Sequence, residues 1–200
     1  MKTNLLGNLK LGSLCFMCVC FVISSCKNPN NDYDDLMKKA HQLTVKNNQI
    51  DTSAYDKVLV LLDSAIAIIP QRTEAYSLKN GLLIAKKKYD KAIINNYRLI
   101  SQYPNNPLYR MNYGYILKFK GDSMASQKEF NKALFLNQHA LSKSKEENDK
   151  LSLALQRVEL LHALKRNSES EKLFNSVKDG FKLNENIQNL NYAEYISKLE

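Results

Sequence analysis

The sequence predicts an all-α fold, an array of helical hairpins packed one on the next and closed by a C-terminal capping helix. Three observations predict it. Landmarks recur at a step of 34 residues: Tyr55 and Tyr89, each followed by Asp-Lys, and Pro70 and Pro104. Apolar side chains between the landmarks fall at i, i+4, i+7 and i+8, as in Tyr109, Tyr113, Ile116 and Leu117, which places them on one helix face. Turn-forming residues stand between these segments, with Gly121-Asp122 dividing two of them.

The chain begins with a segment of another kind. Lys2 and Lys10 precede an apolar run of 13 residues, Leu11 to Ile23. That is a basic start followed by a hydrophobic stretch of secretory-signal length, shorter than the about 20 residues a transmembrane helix needs. Small Ser24 and Ser25 come next, then Cys26. The run Ile23-Ser24-Ser25-Cys26 resembles the lipobox of bacterial lipoproteins. The resemblance implies a signal peptide over residues 1–25 and a diacylated Cys26, with palmitate among its acyl groups and an acylated new amino terminus. An ordinary cleaved signal with a chance Cys, or an uncleaved anchor, stays as the alternative. Cys15, Cys18 and Cys20 lie in the removed segment, so their CxxC spacing is neither redox nor metal chemistry, and no disulfide can form within the remainder. Two or more acyl chains hold a protein stably at a bilayer, at roughly 0.8 kcal/mol per buried CH₂.

Residues 26–32 are polar and carry Pro29, and are expected to form a tether. The acids of Asp32-Tyr33-Asp34-Asp35 lack the spaced ligands of a calcium loop and suit the first turn of a helix, where the dipole favours them. The first hairpin pairs a helix near Asp34 to Lys46 with one running from Tyr55 towards Pro70. The second opens at Thr73-Glu74, and the third at Asn106-Pro107, an N-cap followed by a favoured first helical residue. Ala65, Leu99 and Ala133 form one column at the 34-residue step, with Ile66, Ile100 and Leu134 beside it. Val58, Ala92 and Ser126 make a third column. A fourth hairpin is read from Leu153, Leu160, Leu161 and Leu164, then Leu173, Phe174, Val177 and Phe181, with the step from Ala133 to Val177 lengthened to 44. The excess falls in the charged stretch Ser142 to Lys150. Tyr192, Ile196 and Leu199 mark the cap, expected as a helix over residues 182–200.

A helical hairpin repeating every 34 residues resembles the tetratricopeptide repeat. The third unit matches best: Gly114 as the small residue of the first helix, Gly121 at the turn, Phe130 and Ala133 in the second helix, and Asn137-Gln138 where an acidic-Pro end is usual. The second unit keeps Tyr76, Tyr89, Ala92 and Pro104, with Asn80 for the glycine and Asn96 for the aromatic. The first keeps Tyr55, Ala65 and Pro70. The units are taken as residues 33–70, 71–104, 105–138 and 146–181. The resemblance implies a right-handed solenoid whose first helices line a groove for peptides or a partner's helix. Carried onto this chain, that lining is Ser77, Gly81 and Ile84 of the second unit and Leu108, Met111, Tyr115 and Lys118 of the third.

Enzymatic chemistry finds little support. The three histidines are isolated, His41 in the first helix, His139 expected in a loop and His162 beside Leu161, and none forms an HxxxH or HExxH pair. Six glycines and no Trp leave no glycine-rich nucleotide loop, and no metal or cofactor is expected. The formal charge of +9, lowered by two when Lys2 and Lys10 leave with the signal, raises nucleic acid as a partner. The cations are scattered along helices, however, and an exported chain does not meet nucleic acid; anionic lipid is the better match. The expectation is therefore a membrane-anchored scaffold or adaptor in a bacterial cell-envelope complex, binding an envelope protein or peptide. Lys27, rather than Asp, after Cys26 favours the outer membrane. The alternative is a helical-repeat lipoprotein that binds a small ligand or glycan for nutrient capture.

Overall fold

The structure is a computed structural model that describes residues 28–46, 49–50, 52–181 and 185–198. Cys26, the signal segment and Leu199 lie outside the described residues. Among the described residues eight longer helices make four antiparallel hairpins: α1 (Pro29–Thr44) with α2 (Tyr55–Ile68), α3 (Glu74–Ala85) with α4 (Tyr89–Gln102), α5 (Pro107–Lys120) with α6 (Ser123–Lys143), and α7 (Glu147–Ala163) with α8 (Asn167–Gly180). Each helix packs on the next in sequence, so the chain is an all-α solenoid of tetratricopeptide-like hairpins. A two-residue antiparallel pair, Val45–Lys46 with Gln49–Ile50, joins α1 to a 3₁₀ turn at Thr52–Ala54.

Local chemistry sets the helix ends. Asn106 accepts a hydrogen bond from the Leu108 amide through its side chain, with Pro107 in the first turn of α5. Gly121 ends that helix at φ 94°, in the left-handed region, and Asp122 then caps α6 by accepting from the Ala125 amide. The same turn position in the neighbouring hairpins is held by Lys87 and Lys165 at φ 55° and 60°, so only the third hairpin has the residue best suited to it. Pro29 starts α1, and the Asn28 side chain accepts from the Asn30 amide. The tether expected over residues 26–32 is thus corrected: Pro29–Asp32 are the first turn of α1, because Asn-Pro makes the same helix start here as at Asn106-Pro107.

The three columns read from the sequence face the interior, with Leu134 alone among them half-buried. Ala65, Leu99 and Ala133 are fully buried, as are Val58 and Ala92, with Ser126 nearly so. Gly114 allows a close approach of α5 and α6: a Cβ there would lie 2.6 Å from Phe130 ring carbons. The equivalent pair in the second hairpin is polar on both sides. Asn80 Nδ2 donates to Asn96 Oδ1 at 3.1 Å, and both side chains are buried. Two departures from the family pattern therefore satisfy each other.

Adjacent hairpins are also joined by polar contacts at the repeat step. Lys86 pairs with Asp56 at 2.7 Å and Lys120 with Asp90 at 2.6 Å. Gln102 and Tyr103 donate to the Pro70 and Gln71 carbonyls, and Asn96 to the Tyr109 carbonyl. The lengthened step to the fourth hairpin is resolved as a longer α6, reaching Lys143, followed by a break before α7. His139, expected in a loop, is therefore helical, because Asn137, Ala140 and Leu141 keep the i, i+3, i+4 spacing of the inward face of α6. The cap expected as one helix is two short ones, α9 (Glu185–Gln188) and α10 (Tyr192–Ser197). A capping box, Asn191 with Glu194, starts the second afresh. Tyr195 and Ile196 cover Phe174 and Val158.

Candidate functional site

An open trough of about 1050 Å³ lies beside the first helices α5 and α7. Several elements build it. The start of α5 supplies Leu108 and Met111, α7 supplies Ser152, Leu155, Gln156 and Glu159, and the cap closes one end with Ile187 and Tyr195. The overlong α6 contributes its last turn, Ala140 and Lys143. The wall is apolar where α5 and the cap meet it and mixed along α7, where Leu153 and Leu155 stand among Ser152, Gln156 and Glu159, a mixture suited to an amphipathic ligand.

Its polar groups are held from below. Buried Asn137 on α6 donates through Nδ2 to the Leu153 carbonyl and to Gln156 Oε1, both at 2.9 Å. Gln156 is thereby oriented with its amide nitrogen left as a donor for a ligand. The Tyr195 hydroxyl donates to Glu159 Oε1 at 3.3 Å, and its ring stacks on Phe174 with centroids 4.7 Å apart. Burial pushes the Glu159 carboxyl above its ordinary range, against the lowering effect of the Tyr195 hydrogen bond. Burial and the neighbouring Glu159 charge raise the Tyr195 phenol in turn.

The residues expected to line a groove are distributed unequally. Leu108, exposed, and Met111 reach the trough, but Met111 is only 6% exposed and packs with Phe130, Ala133 and Leu160. Tyr115 lies farther along α5, half-buried with its ring edge-on to Phe130 at 5.0 Å, and Lys118 Nζ stands 6.0 Å from the Tyr115 ring. Ser77, Gly81 and Ile84 of α3 line no part of the trough. Ser77 and Gly81 are exposed there, and Ile84 packs against the main core.

Ser152, Leu155 and Glu159 were missed by sequence reasoning, although a signal for them existed. Advancing Leu108, Met111 and Tyr115 by the lengthened step of 44 arrives at those three positions. Tyr195 had no comparable signal, since it belongs to the cap.

Among the described residues no cluster of three His, Cys, Asp or Glu side chains is arranged to hold a metal. No described helix is long and apolar enough to cross a membrane. No protein-family model matches the chain, and no curated protein does. The chain is similar to solved structures of MamA. The RS-1 ArsTM double mutant and the 41-end form from Desulfovibrio magneticus RS-1 each show 12% identity and a TM-score of 0.45, over 76% of this chain and 74% and 75% of theirs. An AMB-1 form shows 14% identity and a TM-score of 0.40, over 78% of this chain and 92% of its own.

Proposed function

We propose that this chain is a non-enzymatic scaffold or adaptor, anchored through acylated Cys26 in a bacterial cell envelope, that holds a partner protein or peptide in the trough between α5 and α7. The outer membrane is the expected site. The observation that carries the reading is the trough itself: about 1050 Å³, open along its length, with Leu108, Leu155 and Ile187 beside the oriented amide of Gln156. Open recesses of this size bind through side-chain anchors and a few placed polar groups. Catalysis asks for a base near a nucleophile or metal; the carboxyls that line the trough are Asp149 and Glu159, the latter hydrogen-bonded to the Tyr195 phenol.

The test is site-specific photocrosslinking in the native host, with the photoreactive side chain placed at Ser152 or at Gly81. A discrete envelope-protein adduct from Ser152, absent from Gly81 and lost when Leu108→Glu is added, supports the trough. Equal adducts from both positions would move the interface elsewhere on the molecule. Cys26→Ser is expected to release the chain from the membrane fraction and to abolish palmitate labelling.

A second reading, binding of a small ligand or glycan for nutrient capture, draws on the amides at the rim. Gln102, Asn105, Asn106 and Gln156 line the trough together with Tyr103. Soluble oligosaccharide that protects the trough from labelling, with no protein adduct formed, would favour this reading over the first.

A further inference from the structure

We propose that the face built by the second helices α2, α4 and α6 is a separate docking surface, and that its occupant is an acidic amphipathic helix of a protein partner. Charge distinguishes this face. Every acid on these three helices is already held in an ion pair: Asp56 with Lys86 and Lys88, Asp63 with Lys79, Asp90 with Lys120, and Glu129 with both Arg110 and Lys132. Lys91, Arg98 and Lys128 on the same helices have no acid partner among the described residues. The face is therefore left with positive charge that its own carboxylates do not neutralise.

Apolar side chains stand among those cations. Val60 is 65% exposed, Ile94 61% and Phe135 75%. The repeat step places Val60, Ile94 and Lys128 at equivalent positions, so they form one row across successive second helices. Two clefts receive this row. One, of about 480 Å³, lies between α2 and α4, with Val60 and Ile94 in its walls and Lys91 and Arg98 beside them. The other, of about 610 Å³, lies between Pro104 and α6, with Lys128 and Phe135 in its lining.

This pattern selects the occupant. Clefts of this size take inserted aliphatic side chains, and a helix presents such side chains at i, i+3, i+4 and i+7 while carrying acids on its flanks. The unpaired cations meet those acids, and they repel a basic partner. A flat layer of lipid headgroups matches the charge but leaves the clefts unfilled. The surface is independent of the trough, so either can fail without the other.

The experiment uses the full chain in non-ionic detergent and a fluorescein-labelled helix of Leu and Glu, compared with the same peptide carrying Lys in place of Glu. Fluorescence anisotropy is expected to show binding of the Glu peptide only, weakening with salt. The triple variant Lys91→Glu, Arg98→Glu, Lys128→Glu should weaken it about tenfold or more, and Ile94→Ser should weaken it further. Ser152→Arg, in the trough, should leave it unchanged. If the charge-reversed chain fails to fold by circular dichroism, the three Gln substitutions replace it, with a smaller loss expected. Wild-type affinity in a folded variant overturns the proposal, as does equal binding of the Lys peptide or loss of binding in Ser152→Arg. Binding of phosphatidylglycerol mixed micelles that depends on the three cations, without binding of the Glu peptide, overturns it in favour of lipid.

Discussion

At the residue scale, the trough is governed by how its polar side chains are satisfied. Asn137 and Tyr195 each spend a hydrogen bond on fixing a neighbour, Gln156 in one case and Glu159 in the other. Glu159 is the group whose cost is measurable. Its carboxyl is raised chiefly by burial, so the folded state holds the proton more tightly than the unfolded state does. The charged form is then destabilising at neutral pH. The penalty is relieved as pH falls through the raised value, and it is absent below the unfolded value of about 4.3. Glu159→Gln keeps an acceptor for the Tyr195 hydroxyl and removes the charge. It is expected to melt higher than wild type at neutral pH and at the same temperature near pH 4, as followed by circular dichroism. A constant difference at both pH values would mean that packing, not the carboxylate charge, is what the substitution changes.

At the scale of elements, the hairpins differ in how closely their two helices approach. Gly114 lets the Phe130 ring lie against the α5 backbone, whereas Asn80 and Asn96 fill the same place in the second hairpin with a hydrogen bond. In the fourth, the positions are Val158 and Phe174, both fully buried. One backbone arrangement thus tolerates three solutions, provided volume and polarity are matched across the pair. Gly114→Ala leaves that match broken, because the new methyl meets the ring at 2.6 Å. A loss of about 1–3 kcal/mol is expected, read as a lower urea midpoint with an unchanged slope. A wild-type midpoint would show that the α5–α6 spacing does not depend on this contact. The ion-pair rungs Asp56–Lys86 and Asp90–Lys120 matter less, since both acids are largely exposed and water screens such pairs.

At the scale of the whole molecule, each hairpin buries its apolar face against the next, and the last one needs a substitute neighbour. The cap fills that place with Tyr195 and Ile196 against Val158 and Phe174. Ending the chain after Leu190 removes both side chains, and fully burying each is worth about 1.5–3 kcal/mol. Hydrogen exchange in α7 and α8 is expected to accelerate, with α1 to α4 little changed, because stability in such arrays passes mainly between neighbours. Uniform acceleration along the chain would show instead that the four hairpins unfold as one unit.

The sequence by itself determined the all-α class, the 34-residue period, the buried columns and the start and stop of α5. These follow from local rules: helical spacing, an Asn-Pro start, a Gly where φ is positive, and the need to bury one face of every hairpin. The trough was legible only in part. Leu108 and Met111 were found because their hairpin keeps the regular step, and Ser152, Leu155 and Glu159 were passed over because a longer α6 shifts their register by ten residues. Tertiary structure decided which first helices gather around one recess, that Met111 is packed more than offered, and that Tyr195 returns from the cap to meet Glu159. Those outcomes depend on where separate helices come to rest, and such distances arise from packing volumes that no local pattern of residues encodes.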